Sequence, residues 1–191
     1  MADNFDLDKK NTLNKEDKSN KGHWDKRIIP LCDTINSKPD FYTSSSCAGR
    51  LVLFKIPDSG NKQETEWIFT THELMELEEM MPALKDLPDN HMVFRYEPFI
   101  IHVVCRNMEA ADRLLRLVRD MGLKRCGIIS LGKKIVIEII GTANISTLVA
   151  RQGRLLLDIA YLKVMTETAN MLLEGNWQLI GMIEKKIKSQ L

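Results

Sequence analysis

"NMEAADRLLRLVRDMGLKRCGIISLGKKIVIEIIG", residues 107–141, contains the elements that decide the fold. Its first part repeats apolar residues at helical spacing, starts with Asn107 as a helix N-cap and ends at Gly122. Its second part has two strand-like apolar runs on either side of a turn at Gly132 and Lys133. This stretch therefore predicts an amphipathic α-helix followed by a β-hairpin.

A similar order of elements precedes this stretch. Apolar residues from Trp24 to Ile35 recur at helical spacing and predict a helix that Pro30 kinks or splits. "GRLVLFKI" (49–56) then predicts a strand, and "EWIFTTH" (66–72) predicts its hairpin partner. An internal duplication would explain two helix-plus-hairpin halves, but helix-hairpin units are also common without one.

The remaining segments complete the prediction of fold class. "HMVFRYEPFIIHVVC" (91–105) is an extended run that Pro98 breaks, which fits a bend or two successive strands. Near the end, Asp158 caps a helix that ends at Gly175, and Asn176 caps a last helix. Helix-plus-hairpin halves followed by C-terminal helices are typical of the α+β class rather than of a regular βαβ array.

Composition places the chain among globular proteins. Of its 191 residues, 44% are hydrophobic and 28% are charged, and no run of about 18 apolar residues occurs. Because the start is polar and mixed in charge, we expect neither a membrane span nor a signal peptide, and a cytoplasmic location. Residues 1–22 predict a loosely ordered segment with one helical turn around Leu13, and residues 23–191 predict one compact catalytic domain.

The four cysteines and four histidines do not predict a metal site. The cysteines form no CxxC pair, and the histidines share no short ligand spacing with them. We therefore expect no metal and no disulfide. The net charge of +1 leaves nucleic-acid binding open, since that function needs only a local basic face.

The segment "DFYTSSSCAGRLVLF" (40–54) places small polar residues and Cys47 directly before a strand. One interpretation is a tight turn whose hydroxyls bind backbone amides. A second is a catalytic thiol, which would need a neighbouring histidine or helix N-terminus. A third is a nest of amides and hydroxyls that binds an anion and that Arg50 completes.

Two further sets of residues are candidates for function. Glu97 and His102 lie five residues apart around Pro98, either as a salt-bridged pair or as a general base and its partner. The alternation of "EWIFTTH" predicts that Trp67 and Phe69 share one face of a strand. Trp67 and Tyr161 are core anchors in one interpretation and surfaces for a nucleobase in the other.

Taken together, these motifs resemble one family, the tRNA wybutosine-synthesis methyltransferases that act third in the tricyclic-guanosine pathway, particularly its archaeal branch. The pairing of Ser-Ser-Cys-x-Gly-Arg with a downstream Glu-Pro-Phe-x-x-His is specific to it. The similar segments cover most of the chain: "DKSNKGHWD" (17–25), "INSKPDFYTSSSCAGR" (35–50), "EWIFTTH" (66–72), "FRYEPFIIHV" (94–103), "AADRLLRLVRDMGLKRCGI" (110–128) and "YLKVMTETAN" (161–170).

The resemblance implies an enzyme that uses S-adenosylmethionine to methylate a ring nitrogen, N4, of 7-aminocarboxypropyl-demethylwyosine. This intermediate occupies guanosine 37 of tRNA(Phe), so the anticodon stem-loop is the implied partner. Demethylwyosine itself is an alternative substrate, and a non-catalytic tRNA-binding module of the same fold is an alternative function. The implied fold is not of the Rossmann type, in agreement with the absence of GxGxxG and GxxxxGK[ST] motifs from the sequence.

The resemblance also implies roles for particular residues. The catalytic candidates are Glu97, His102 and His72. The cofactor-binding candidates are Ser45, Ser46, Cys47, Gly49, Arg50, Tyr161 and Asn170. The substrate-binding candidates are Asp17, Ser19, Lys21, Trp67 and Arg95. Ala48 departs from the family pattern, which commonly has serine at this position, so a role for that hydroxyl is in doubt here.

Overall fold

The computed structural model describes residues 4–14, 25–57 and 64–191. These residues form α-helices and two antiparallel β-sheets, which confirms the predicted α+β class. The α-helices are α1 (Asn4–Leu13), α2 (Ile29–Asn36), α3 (Leu77–Met80), α4 (Met108–Asp120) and α5 (Ile159–Gln190). The strands are β1 (Phe41–Cys47), β2 (Arg50–Ile56), β3 (Glu66–Thr71), β4 (His91–Glu97), β5 (Ile100–Cys105), β6 (Gly127–Leu131), β7 (Ile135–Ile140), β8 (Ile145–Arg151) and β9 (Arg154–Leu155).

The chain folds into two compact units. The first unit consists of Met1–Ala48, Phe99–Thr142 and Trp177–Leu191. The second unit consists of Gly49–Pro98 and Ala143–Asn176. The boundaries drawn from the sequence, a segment over residues 1–22 and a domain over residues 23–191, stay a prediction.

The first unit contains a four-stranded sheet with the order β1-β5-β7-β6. One face of this sheet forms the core with α2, α4 and the last turns of α5, because each of these elements places an apolar stripe there. The strands contribute Phe41, Val103 and Ile137 to that core, and the helices contribute Leu114 and Ile183. The ring of Phe5 on α1 lies against the other face, 5.2 Å from the ring of Tyr42.

The second unit contains a five-stranded sheet with the order β3-β2-β4-β8-β9. Leu51, Leu53 and Phe94 are fully buried on one face. The hydroxyl of Tyr96, on β4, donates a hydrogen bond to the carbonyl of Leu172 on α5 at 3.1 Å. Burial raises the pKa of Tyr96 to about 12, so this hydroxyl remains a donor throughout the physiological pH range.

Several predictions of local structure are confirmed. The Asn107 side chain caps α4 by accepting a hydrogen bond from the amide of Ala110 at 2.9 Å, and α4 is followed by Gly122 with a φ of +91°. The segments 49–56 and 66–72 pair as the hairpin β2–β3, and β6–β7 is a second hairpin. The two hairpins belong to different sheets. The internal duplication stays a prediction.

The predicted break between two C-terminal helices is wrong, because α5 runs without interruption from Ile159 to Gln190. The buried residues continue at spacings of three and four through the predicted break, from Leu173 through Asn176 to Ile180. This continuous stripe outweighs the cost of Gly175 inside a helix, about 1 kcal/mol relative to alanine.

The chain also departs from the sequence-based expectation in its strands and at its start. A tight turn was one interpretation of the small residues around Cys47, but residues 44–47 belong to β1. Residues 145–151 form β8, which the sequence analysis did not predict. Where one helical turn was expected around Leu13, α1 has ten residues. β8 lies next to turn residues and has a mixed burial pattern, so periodicity alone does not identify it.

No helix in the described part of the chain combines the length and the apolar character that a membrane crossing requires.

Gly49 is a position at which an added side chain would be poorly tolerated. Its φ is +95°, and a Cβ there would lie 3.0 Å from Nδ2 of Asn176 and 3.1 Å from the carbonyl oxygen of Glu97. We expect Gly49→Ala to lower the free energy of unfolding by about 2–4 kcal/mol, from backbone strain and overpacking together. Urea denaturation followed by circular dichroism measures this change.

Gly122→Ala is the matched control for Gly49→Ala. Gly122 has a φ of +91°, but a Cβ there would meet no atom within 4 Å. Only backbone strain remains, and the expected loss is about 1 kcal/mol. Equal losses for the two variants would contradict the crowding at Gly49.

Candidate functional site

A β-bulge in β1 determines which serine reaches the second face of the four-stranded sheet, the face opposite its core. Thr43 pairs with Val103, but the next register pair joins Ser45 to His102, so Ser44 is the extra residue. Regular alternation would have turned Ser45 toward the core face that Phe41 and Val103 occupy. The bulge instead places the Ser45 side chain on the same face as His102.

Ser45, His102 and Glu138 form a row across three neighbouring strands, which we call the Ser–His–Glu row. Ser45 pairs with His102 in β5, and His102 pairs with Glu138 in β7. The hydroxyl oxygen of Ser45 lies 2.8 Å from Nδ1 of His102. Nε2 of His102 lies 3.1 Å from Oε2 of Glu138. About 30% of the side-chain surface of His102 and of Glu138 is exposed, so solvent and ligands can reach them.

The chain leaves β1 through a fixed turn. The backbone amide of Ala48 donates to Oδ2 of Asp25 at 3.2 Å. The Ala48 methyl group is fully buried in the core of the first unit. A side chain in this position faces the core, so the departure from the family serine removes no surface hydroxyl.

In the second unit, the carboxylate of Glu97 forms salt bridges with two arginines. Nε of Arg50 donates to Oε2 of Glu97 at 2.7 Å, and an Nη of Arg95 lies 3.3 Å from Oε1. Arg50 and Glu97 are register partners on β2 and β4, which brings their side chains to the same face. The sequence had suggested Glu97 and His102 as a salt-bridged pair. The side-chain partners of Glu97 are instead these arginines, and those of the His102 ring are Ser45 and Glu138.

A second bulge, in β3, places Trp67 beside Arg50. Leu53 pairs with Phe69, but Phe54 pairs with Trp67, so Trp67 and Phe69 point to opposite faces and the predicted shared face is wrong. The Arg50 guanidinium lies 4.7 Å from the centroid of the Trp67 ring. Trp67 nevertheless remains 49% exposed.

We call the group formed by Arg50, Phe54, Trp67, Arg95 and Glu97 the arginine–tryptophan cluster. The ring of Phe54 lies 5.6 Å from that of Trp67, and the Arg95 guanidinium lies 5.0 Å from the Phe54 ring. Cations on aromatic faces and a shared carboxylate hold the cluster in one arrangement. It presents a flat ring and positive charge, which suits a ligand with an aromatic base and an anionic group.

The four cysteine thiols differ in burial, and therefore in expected reactivity. Burial raises the pKa of Cys32 to about 11 and that of Cys105 to about 12, and it also raises the pKa of Cys126. Cys47, at the end of β1, is the half-buried one among the four. The three buried thiols are therefore packing groups at physiological pH.

The other predicted site residues have varied positions. Asn170 holds the backbone of Met75, since its carboxamide accepts from the Met75 amide at 3.1 Å and donates to the Met75 carbonyl at 2.8 Å. Tyr161 is 49% exposed in the first turn of α5, and half-buried His72 directly follows β3. Asp17, Ser19 and Lys21 lie outside the described residues. Ser46 faces the core side of β1, where its side chain hydrogen-bonds to Cys32.

Sequence reasoning missed Glu138, Asp25 and Phe54. Glu138 is the single charged residue in the apolar run "IVIEII" (135–140), which is a detectable signal. Asp25 and Phe54 have no comparable signal, because their importance comes from pairing with residues far away in the chain.

Each of the two clusters, taken within its own unit, indicates a kind of chemistry. The exposed aromatic ring beside guanidinium groups suits a nucleotide-like ligand. The hydrogen-bonded Ser–His–Glu row suits acid–base chemistry. Over residues 7–189 the sequence matches the family described as Methyltransferase TYW3. The chain belongs to this family.

Individual relatives agree with this assignment. A Methanocaldococcus jannaschii protein named tRNA(Phe) 7-((3-amino-3-carboxypropyl)-4-demethylwyosine(37)-N(4))-methyltransferase is 34% identical over 166 residues, which cover 85% of this chain and 86% of that protein. A Pyrococcus furiosus protein with the same name, numbered 1, is 34% identical over 172 residues, covering 89% and 88%. The solved structure of the PH1069 protein from Pyrococcus horikoshii is similar with a TM-score of 0.86 at 30% identity, over 96% of each chain.

The cysteine environments predict the order of alkylation. At pH 8 a thiol with a pKa of about 11 is only about 0.1% thiolate, and burial also blocks access to it. We expect iodoacetamide to modify Cys47 before Cys32, Cys105 and Cys126 in the folded protein. Mass spectrometry of tryptic peptides over a time course measures the four rates.

Alkylation in urea is the control, because unfolding exposes all four thiols and should make their rates similar. Modification of Cys32 or Cys105 as fast as Cys47 in the folded protein would contradict the burial described above.

Proposed function

We propose that this protein uses S-adenosylmethionine to methylate N4 of the 7-aminocarboxypropyl-demethylwyosine intermediate at position 37 of tRNA(Phe). The observation that carries the proposal is the match, over most of both chains, to archaeal proteins named for this reaction. The arginine–tryptophan cluster and the Ser–His–Glu row supply groups that the reaction needs. A tRNA substrate supports a cytoplasmic location.

The second unit supports binding of a base and an anion. The exposed face of Trp67 suits stacking on a base of the anticodon loop, which single-stranded RNA offers to aromatic side chains. Arg95, which keeps 41% of its side-chain surface exposed, suits contact with a nearby phosphate. Because Glu97 fixes Arg95 and Arg50 in place, little side-chain freedom remains to be lost when RNA binds.

The chemistry of Arg50 fits the methyl donor. S-adenosylmethionine carries a carboxylate, and when bound it supplies an electrophilic methyl group on a sulfonium. Arg50 keeps 33% of its side-chain surface exposed, and its guanidinium has further N–H groups besides the Nε–H that reaches Glu97. It would therefore hold the carboxylate, as Arg does elsewhere by charge-assisted hydrogen bonds.

Of the predicted catalytic residues, His102 suits the role of proton acceptor better than Glu97. Both oxygens of Glu97 accept from guanidinium groups, so protonating it would weaken two charge-assisted hydrogen bonds. An imidazole can accept a proton at one nitrogen while the other donates to a carboxylate. Besides accepting the proton, the protein must orient the two reactants, since in-line displacement requires the ring nitrogen about 3 Å from the methyl carbon.

The fold supports a methyltransferase outside the Rossmann class. All strand pairings in the described residues are antiparallel, whereas a doubly wound nucleotide-binding sheet is mostly parallel. The sequence also lacks the glycine-rich fingerprint of that sheet.

Incubation with S-adenosylmethionine and tRNA(Phe) carrying the intermediate tests the proposed reaction. We expect the position 37 nucleoside to gain one methyl group, which nucleoside mass spectrometry detects. tRNA(Phe) that carries an unmodified guanosine at position 37 is the control and should gain none. A gain on demethylwyosine but not on the aminocarboxypropyl intermediate would replace the substrate, and binding without any gain would identify a non-catalytic tRNA-binding module.

Trp67→Ala tests the stacking surface. Since stacking of a base on an aromatic side chain contributes about 1–3 kcal/mol, we expect KM for tRNA to rise about 5-fold to 150-fold with a smaller change in kcat. Trp67→Phe, which keeps an aromatic face, should recover most of the affinity. Steady-state kinetics with varied tRNA concentration measures both constants.

Met171→Ala is the matched control for Trp67→Ala. It removes a large side chain of the same unit that is 62% exposed on α5 and outside the arginine–tryptophan cluster. Its KM should stay at the wild-type value. An unchanged KM in Trp67→Ala would remove Trp67 from the RNA-binding surface.

A further inference from the structure

We infer that Glu138 is a positioning residue that fixes the tautomer of His102, so that Ser45 and His102 together accept the proton released by methylation. This inference rests on the proposed function and deepens it. It assigns Glu138 a role that sequence reasoning did not give it. The resemblance placed Ser45 at the cofactor. The inference instead makes Ser45 a contact of the modified guanine that is methylated.

The first step is the geometry of the Ser–His–Glu row. Its three members are direct register partners on β1, β5 and β7, so hydrogen-bonded strands rather than loops set the two distances of 2.8 Å and 3.1 Å. Side chains directly opposite one another on neighbouring strands share a face. A site built on strands keeps its geometry better than one on loops, which proton transfer requires.

The second step is the tautomer. A carboxylate has only acceptor sites, so Glu138 requires a proton on Nε2 of His102. In a neutral imidazole this leaves Nδ1 with a lone pair. Ser45 must then be the donor in its bond to Nδ1, and the lone pairs of its oxygen face outward from the row.

The third step is the balance of the reaction. The tricyclic nucleobase is neutral before methylation. It is neutral afterwards only if its ring nitrogen loses one proton as it gains the methyl group. The N–C bond forms, and the C–S bond breaks with its electron pair remaining on sulfur. The nitrogen's proton passes to the Ser45 oxygen while the Ser45 hydroxyl proton passes to Nδ1 of His102. The resulting imidazolium lies beside the carboxylate of Glu138, which stabilises it.

Stability alone does not account for the row. The hydroxyl of Ser45 is exposed, and His102 and Glu138 keep 29% and 30% of their side-chain surfaces accessible. Even with His102 protonated, an ion pair with this much exposure would contribute only about 0–1 kcal/mol to folding. A charged residue within the apolar run of β7 therefore has little structural value, and its value lies in what it does to His102.

The test combines a spectroscopic measurement with kinetics in the full-length protein. Long-range ¹H–¹⁵N correlation spectra of the histidine rings report which nitrogen carries the proton. We expect wild-type His102 to carry it on Nε2. Glu138→Ala should shift His102 to a mixture of tautomers and lower kcat about 100-fold, with KM for tRNA nearly unchanged.

Ser45→Ala separates the two roles. It removes the relay but leaves Glu138 in place, so we expect kcat to fall while the Nε2–H tautomer persists. Glu109→Ala, which removes an exposed carboxylate from α4 in the same unit, is the control and should change neither measurement. Amide spectra confirm that each variant is folded, and Glu138→Gln, which keeps the volume, replaces Glu138→Ala if that variant unfolds. The glutamine can hold either tautomer, so for this variant the fall in kcat is the expected result.

The outcomes that overturn the inference differ from those that overturn the proposed function. A wild-type Nδ1–H tautomer, or a folded Glu138 variant with wild-type kcat, would refute the role of Glu138 while methyl transfer itself continues. Absence of methyl transfer in the wild type would refute the proposed function, and with it the relay.

Discussion

Two β-bulges, one in β1 and one in β3, determine which side chains reach the second faces of the two sheets. One extra residue in each strand reverses the alternation of side chains from that point onward. In β1 the bulge turns Ser45 away from the core face and toward His102. In β3 it turns Trp67 away from the face of Phe69 and toward Phe54. Without the bulges, the polar serine would face an apolar core, and the tryptophan would lie apart from Arg50.

The side-chain pairs in both clusters are set by strand register and not by closeness in the sequence. Arg50 meets Glu97, and His102 meets Glu138, because antiparallel pairing places them opposite each other. Strands also limit side-chain freedom more than loops do, so the donors and acceptors in both clusters are already oriented before a ligand arrives. The residues for which a tight turn and an anion-binding nest were two of the interpretations thus belong largely to an ordered strand, whose register places Ser45 beside His102.

Helices and hairpins could be predicted from the sequence because their signals are local. Asn107 caps α4 as its position suggests, and β2 and β3 pair across the expected turn. A bulge has no such signal, since Ser44 and Ile68 are ordinary residues in runs of normal length. The continuity of α5 was also hidden, because Gly175 and Asn176 resemble an end and a cap. The buried stripe that passes through Asn176 becomes visible only when the core is known.

The lack of a local signal for long-range pairing also explains why the sequence suggested Glu97 and His102 as one pair. They lie close in sequence around Pro98, but the chain changes sheets there, and each residue acquires partners from its own sheet. The partners then separate their chemistry. Glu97 is held between two guanidiniums, which suits a group that orients cations for a nucleotide. His102 is bonded to one carboxylate and one hydroxyl, which leaves it able to exchange a proton. Two residues of one motif thus acquire different hydrogen-bond partners because of the strands that lie beside them.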